Sequence, residues 1–291
     1  MRSWILIPAE NDKAIGAAAG TGADAVVIDL ARPLPPGLKA AARVACMEWL
    51  RAYRDQRQSE HKFARWARIP ALDTATWRED LATAMAGSPH GIVLSQCHGP
   101  EDLRQLATAL DAIEDENGLA AGVTRIVPQL GSTPASALAL PRFADDLHPR
   151  VAALTWDAVG LAHAIGARRL RGPGGRWSDP LAHVRAQLLL IAHARGIDAI
   201  EHPVRQANDA DAGLRIAEAA RADGFIGMVA VHPAQVAWIN HAFAPLEREM
   251  AEARNIAAAF AEHPEAKFLT IGDRRVERIE LQRVLRLLGE N

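Results

Sequence analysis

The 291-residue chain contains two cysteines, Cys46 and Cys97, which fall in different expected elements and have no metal-ligand spacing. Both read as buried free thiols, and with no signal peptide at the start they fit a reducing cytoplasm. Basic charge is not in excess: 33 Lys and Arg face 35 Asp and Glu, leaving a net charge of −2, so neither nucleic acid nor a membrane surface is an expected partner. The opening apolar run Trp4-Ile5-Leu6-Ile7 is far too short to span a bilayer. No glycine-rich dinucleotide fingerprint follows the first expected strand, which weakens an open doubly wound sheet. No internal repeat or low-complexity segment stands out.

What the chain does contain is alternation. At 49% hydrophobic and 23% charged it has material for a large core beneath a solvated surface. Short apolar runs recur at residues 3–8, 25–30, 65–69, 91–95, 124–130, 151–156, 197–201 and 226–232. Each is followed by a turn and then a segment at helical spacing. Ala25-Val26-Val27-Ile28 is apolar throughout, as a strand buried on both faces should be. Segments 38–53, 100–116 and 207–223 read as helices, the second opening with Pro100-Glu101-Asp102. The pattern predicts one (β/α)8 TIM barrel over residues 1–245. A helical extension is expected over 246–291, with helices read at 245–263 and 275–289, packing on the barrel or on a neighbouring subunit. Residues 56–62 read as a polar loop, and 168–179 as a glycine- and arginine-rich one.

Reactive groups of such a barrel project from the carboxyl ends of its strands. That rule selects Glu10, Asp29, Arg32, Arg68, Gln96, Gln129, Asp157, Glu201, His202 and His232. Each has a structural alternative. Asp29 and Asp157 could cap the next helix, and His202 and His232 precede prolines as loop histidines do. Arg68 ends an apolar strand at the barrel mouth, where a lone cation implies an anion.

Several motifs carry a family resemblance. Arg2-Ser3-Trp4-Ile5-Leu6-Ile7-Pro8, Gly22-Ala23-Asp24-Ala25-Val26-Val27-Ile28-Asp29-Leu30, Lys39-Ala40-Ala41-Ala42-Arg43 and His232-Pro233-Ala234-Gln235-Val236 follow one another in order. With Arg68-Ile69-Pro70 and Leu72-Asp73-Thr74 between them, the chain resembles the citrate lyase β-subunit-like group of the HpcH/HpaI aldolase superfamily. The resemblance implies a homotrimeric or hexameric barrel that cleaves or forms carbon–carbon bonds in hydroxy-acyl-CoA thioesters or related oxo and hydroxy acids. It also implies a Mg²⁺ ion held by a Glu and an Asp, with an arginine, here Arg68, gripping the carboxylate.

The framework motifs are kept and the site motifs are not. The implied Glu and Asp ligand positions hold Gly131 and Gly160, and the acidic loop after the second strand reads Asp29-Leu30-Ala31-Arg32-Pro33-Leu34. Glycine has no side chain with which to ligate Mg²⁺. The expectation is therefore a lyase-class protein with a degraded metal site, binding a small carboxylate or acyl-CoA through Arg68 and Arg32. Asp29, Asp157 and His232 are expected at the rim. A non-catalytic or metal-independent relative is the alternative. Asp157 with Glu201 as a displaced metal site, and Arg32 paired with a surface acid, both stay open.

Overall fold

The computed structural model describes residues 1–55, 62–172, 175–204, 209–245 and 247–289, apart from the side chains of Arg283 and Arg286. Most of the expected polar loop at 56–62, residues 173–174 of the arginine-rich loop, and the expected helix start at 207–208 lie outside the described residues. The chain forms two compact units, Met1–Phe243 and Ala244–Asn291.

The first unit is a closed barrel of eight parallel strands in sequence order. They are β1 (Ser3–Pro8), β2 (Ala25–Asp29), β3 (Ala64–Ile69), β4 (Gly91–Leu94), β5 (Arg125–Leu130), β6 (Ala153–Trp156), β7 (Asp198–Glu201) and β8 (Gly227–Ala230). Helix α1 (Asp12–Ala17) follows β1, α2 (Pro36–Ala52) follows β2, α3 (Trp77–Ala86) follows β3 and α4 (Pro100–Glu116) follows β4. Two short helices, α5 (Pro134–Leu138) and α6 (Arg142–Asp145), connect β5 to β6, and α7 (Ala158–Ala164) with α8 (Asp179–Ala194) connects β6 to β7. Helix α9 (Ala210–Asp223) precedes β8, and α10 (Ala234–Ala242) closes the unit.

Period-2 alternation sorts the strand residues onto two faces. Trp4, Val27, Trp66, Val93, Val127 and Ile200 pack together inside the barrel. Their neighbours Ile5, Ile28, Ala67, Ile92, Ile126 and Leu154 face outward into the helix-covered core. Burial on both sides explains why these strands read as unbroken apolar runs. Fully burying each Ile, Val or Leu side chain contributes about 1.5–3 kcal/mol, which sets register firmly wherever a one-residue slip would exchange the faces.

Buried charges tie helices to the barrel's loops. Asp80 is fully buried and meets Lys39 Nζ at 2.8 Å and Arg43 Nε at 2.6 Å. Lys39 also donates to the Leu30 carbonyl, so the Lys-Ala-Ala-Ala-Arg motif fixes the loop that leaves β2. Glu114 of α4 is likewise buried, accepting from Arg150 at 2.6 and 2.9 Å and from the Thr124 and Gly122 amides at 2.8 Å each.

The second unit contains α11 (Glu247–Glu262), β9 (Phe268–Ile271), β10 (Arg274–Glu277) and α12 (Arg278–Leu288). Ala253, Ile256, Phe260, Val276 and Val284 form its small core. The helix expected from residue 275 begins three residues later, at Arg278, because residues 274–277 pair antiparallel with 268–271 across a Gly272-Asp273 turn. Four-residue strands carry too little periodicity to register beside two longer helical patterns, although Gly-Asp is a hairpin signal. No helix among the described residues is long and apolar enough to cross a membrane.

Candidate functional site

All eight strands are parallel, so their carboxyl ends share one rim, and residues of like parity on adjacent strands face the same interior. Asp29 is the register partner of Arg68, and Gln129 that of Thr155. This pairing assembles the centre of the site. Arg68 Nη1 donates to Asp29 Oδ2 at 3.1 Å, and Arg68 Nη2 donates to Ser95 Oγ at 3.0 Å and to Gln129 Oε1 at 2.9 Å. Asp29 is held in turn by the Ala31 amide, 2.9 Å from Oδ1. It therefore serves as the partner of Arg68 and the anchor of its own loop, while α2 begins several residues later.

The fork of Arg68 is thus rigid before any ligand arrives, and three of the guanidinium's five N–H groups are engaged. Arg68 Nε has no hydrogen-bond partner among the described residues, and the same holds for Thr155 Oγ1 and Ser132 Oγ. Buried polar atoms are normally satisfied, and two of these three residues, Arg68 and Thr155, line the same small space inside the barrel. Beneath Arg68, Gln129 and Thr155, the barrel interior keeps a cavity of about 40 Å³ lined otherwise by Trp4, Leu6, Val27, Val93, Val127, Ile200 and Val229. Nearby, Gln96 follows β4 with φ 51°, a left-handed conformation in a residue with a side chain. Strain of this kind is of order 1–3 kcal/mol, and Ser88, ahead of β4, carries it as well with φ 50°.

The other rim candidates are distributed differently. Arg32 is exposed and paired with Glu10, and no hydrogen bond joins it to the Arg68 network among the described residues. Asp157 caps α7, its Oδ1 accepting from the Gly160 amide at 2.9 Å. His232 is exposed in the turn before α10, where its Nδ1 accepts from the Ala234 amide at 3.2 Å. Glu201 has outward parity and is buried behind the wall, accepting from Trp156 Nε1 at 2.7 Å, the His202 amide at 2.8 Å and Arg185 Nε at 2.5 Å. His202 packs between Trp156 and Trp177, with ring centroids 5.7 and 6.2 Å away. Ser95 was not singled out from the sequence, yet inward parity from Val93 at the end of β4 was its available signal.

Gly131 follows β5 with φ 66°, and a Cβ built on it would lie 2.6 Å from Val184 Cγ1 of α8. A Cβ on Gly160 would lie 2.4 Å from Asp157 Oδ2, inside the helix cap. The two positions that the resemblance assigns to metal-binding acids are therefore closed to any side chain without rearrangement, and the donor set there does not fit a magnesium ion. Among the described residues no three His, Cys, Asp or Glu side chains converge in a way that could hold a metal, and Asp157 and Glu201 are each engaged elsewhere.

The sequence pattern of the HpcH/HpaI aldolase/citrate lyase family matches residues 2–233. A citrate lyase subunit beta-like protein of Deinococcus radiodurans is 28% identical over 263 residues, covering 90% of this chain and 86% of the relative. An L-malyl-CoA/beta-methylmalyl-CoA lyase of Cereibacter sphaeroides is 28% identical over 267 residues, covering 83% of this chain and 78% of that enzyme. The crystal structure of CitE from Mycobacterium tuberculosis, in complex with magnesium, acetoacetate and coenzyme A, superposes with a TM-score of 0.73 at 23% identity, covering 99% of this chain and 97% of that one.

Proposed function

The chain belongs to the HpcH/HpaI aldolase/citrate lyase family, and on that premise we propose that it binds a small oxo or hydroxy acid, free or as a CoA thioester, at the barrel mouth through Arg68. The observation that carries the proposal is the oriented Arg68 fork, backed by Asp29, Ser95 and Gln129 and retaining an unpartnered Nε. A guanidinium remains protonated at any physiological pH, and Arg68 keeps two of its five N–H groups, one on Nε and one on Nη1, unengaged among the described residues. Arg32, the second cation the sequence offers, is paired with Glu10 at the periphery and would reach a ligand only by leaving that partner.

Carbon–carbon lyase chemistry is the class to which the named relatives belong, and it requires charge to be stabilised on an oxygen as the bond breaks. With Gly131 and Gly160 at the implied ligand positions, we assign no step here to a magnesium ion. Arg68 and the amides and hydroxyls around it can bind and orient the acid. Binding that is equal in ground and transition states leaves turnover low, so this reading predicts ligand binding that outlasts lyase activity. The resemblance further supports a homotrimer or hexamer, measurable by light scattering, and a cytoplasmic location, which suits two buried free thiols.

Calorimetric titration of oxaloacetate, malate and acetyl-CoA in a chelating buffer tests the proposal. Wild type should bind a dicarboxylate without metal. Arg68→Lys should weaken binding by roughly ten- to a hundredfold, the worth of one charge-assisted pair at about 1.5–3 kcal/mol. Arg32→Ala should change it by less than about threefold, as for an exposed charge. Arg68→Ala combined with Asp29→Asn avoids leaving a buried carboxylate alone and keeps the test valid if Arg68→Ala misfolds. Equal binding by wild type and both Arg68 variants would sink the proposal.

A further inference from the structure

Outside the barrel wall, a cleft of about 1010 Å³ opens between α8 and α9 beneath residues 169–172 and 175–178. Those two stretches face each other as the arms of a hairpin: Arg171 bridges Trp177, the Ser178 amide donates to the Leu170 carbonyl at 3.0 Å, and the Gly172 amide donates to the Arg176 carbonyl at 2.7 Å. Arg169, Arg171 and Arg176 come from the hairpin, Arg185 from α8 and Arg215 from α9, and all five line the cleft. Asp179, Glu201 and Asp223 are its three carboxylates. Five cations against three anions make a positive cleft in a chain whose net charge is −2.

The pairing inside the cleft is unequal. Arg185 alone takes up both Glu201 at 2.5 Å and Asp223 at 2.8 Å. Arg169, Arg176 and Arg215 are exposed and make no ion pair among the described residues. Arg171 lies 3.7 Å over the Trp177 ring, and among the described residues its side chain donates to the Gly175 carbonyl alone, at 2.7 Å. Burial pulls the Arg171 pKa down, with Glu201 opposing and Arg185 adding to the fall, so its charge is partly desolvated without a carboxylate against it. Trp177 is itself wedged edge-on against Trp156, 5.0 Å between centroids, which makes the Arg171–Trp177 stack a stiff platform.

We propose that this cleft binds a small molecule carrying adjacent phosphoryl groups, a diphosphate in its simplest form. Guanidinium groups from three separate elements present planar donor forks that suit several phosphate oxygens at once. The volume lies at the upper end of small-molecule sites, roughly 300–1,000 Å³, and exceeds what a lone carboxylate or single phosphate would fill. The site is separate from the Arg68 fork: Glu201, its barrel residue, faces outward, whereas Arg68 faces the interior.

The experiment is calorimetry on the full chain with inorganic pyrophosphate, ADP and succinate, in chelating buffer at low ionic strength. Pyrophosphate should bind on the order of tenfold or more tightly than succinate, both compared in the Arg68→Lys variant so that the dicarboxylate site proposed at the barrel mouth does not enter, and added salt should weaken it. Arg176→Ala with Arg215→Ala removes two exposed side chains without disturbing a packed contact, and should raise the pyrophosphate Kd by about tenfold or more. Arg68→Lys should leave that Kd unchanged, which separates failure here from failure at the barrel mouth. ADP tighter than pyrophosphate assigns the natural ligand to nucleotides, and equal affinity assigns it to free diphosphates; both support the site. Pyrophosphate binding no tighter than succinate, an unaffected Arg176→Ala/Arg215→Ala variant, or loss of binding in Arg68→Lys would each overturn it.

Discussion

Replacing Gly131 with alanine measures how firmly the fold has closed the position where the family resemblance places an acid. Two penalties add. The backbone there has φ 66°, a left-handed conformation that costs a side-chain-bearing residue roughly 1–2 kcal/mol. The new Cβ would also sit 2.6 Å from Val184 Cγ1, about 1 Å inside the ordinary carbon–carbon separation of about 3.5–4 Å. Val184 is 2% exposed and packed in the core, so it can yield only by overpacking its neighbours, at about 1–3 kcal/mol. Gly131→Ala should therefore destabilise the protein by about 2–5 kcal/mol, and Gly131→Glu by more, since the longer chain needs the same space and then some. Urea denaturation followed by tryptophan fluorescence reads the change. Val184→Ala placed on top of Gly131→Ala should return about 1–3 kcal/mol as coupling, because only the contact, and not the backbone strain, is relieved. A Gly131→Ala variant within about 0.5 kcal/mol of wild type, or strict additivity with Val184→Ala, would refute this reasoning. The corollary is that restoring acids at Gly131 and Gly160 together should fail to give a clean magnesium site unless Val184 and Asp157 are changed as well.

Three further outcomes follow from the geometry. Burial alone would raise the Glu114 pKa, but the hydrogen bonds from Arg150, Thr124 and Gly122 outweigh it and hold the group at about 2. Because the folded pKa lies below the ordinary 4.5, its stabilisation is present above pH 4.5 and lost as pH falls toward 2; Glu114→Gln should flatten stability over that window, by about 3 kcal/mol at most, in acid titrations of the unfolding midpoint. Asp157→Ala removes the cap on the Gly160 amide and should cost about 1 kcal/mol, readable as a shift of the urea midpoint. Burial pushes both the Cys46 and Cys97 thiols above their usual range, so Ellman's reagent should label neither until denaturant is added.

The barrel was legible because its determinants are local. Apolar runs such as Ala25-Val26-Val27-Ile28, followed each time by helical spacing, specify strand, helix and parallel connection without reference to distant residues. The strand-end positions of Asp29, Arg68, Gln129 and Asp157 came from the same alternation, and so did the glycines where acids were expected. What each side chain does at the rim was decided by partners far away in sequence. Asp29 meets Arg68 because adjacent strands place them in register, 39 residues apart. Arg32 turns to Glu10, 22 residues earlier, rather than to the Arg68 network. Glu201 stood beside His202 in the sequence as an equal candidate, but one step of pleat put it outside the wall with Arg185. The β9–β10 hairpin and the arginine cleft were hidden for a related reason: the hairpin strands are too short for a period to emerge, and the cleft arginines belong to segments that only the packing of α8 against the wall brings together. Period and composition determine which elements form. Register, parity and the packing of helices decide which charges find each other.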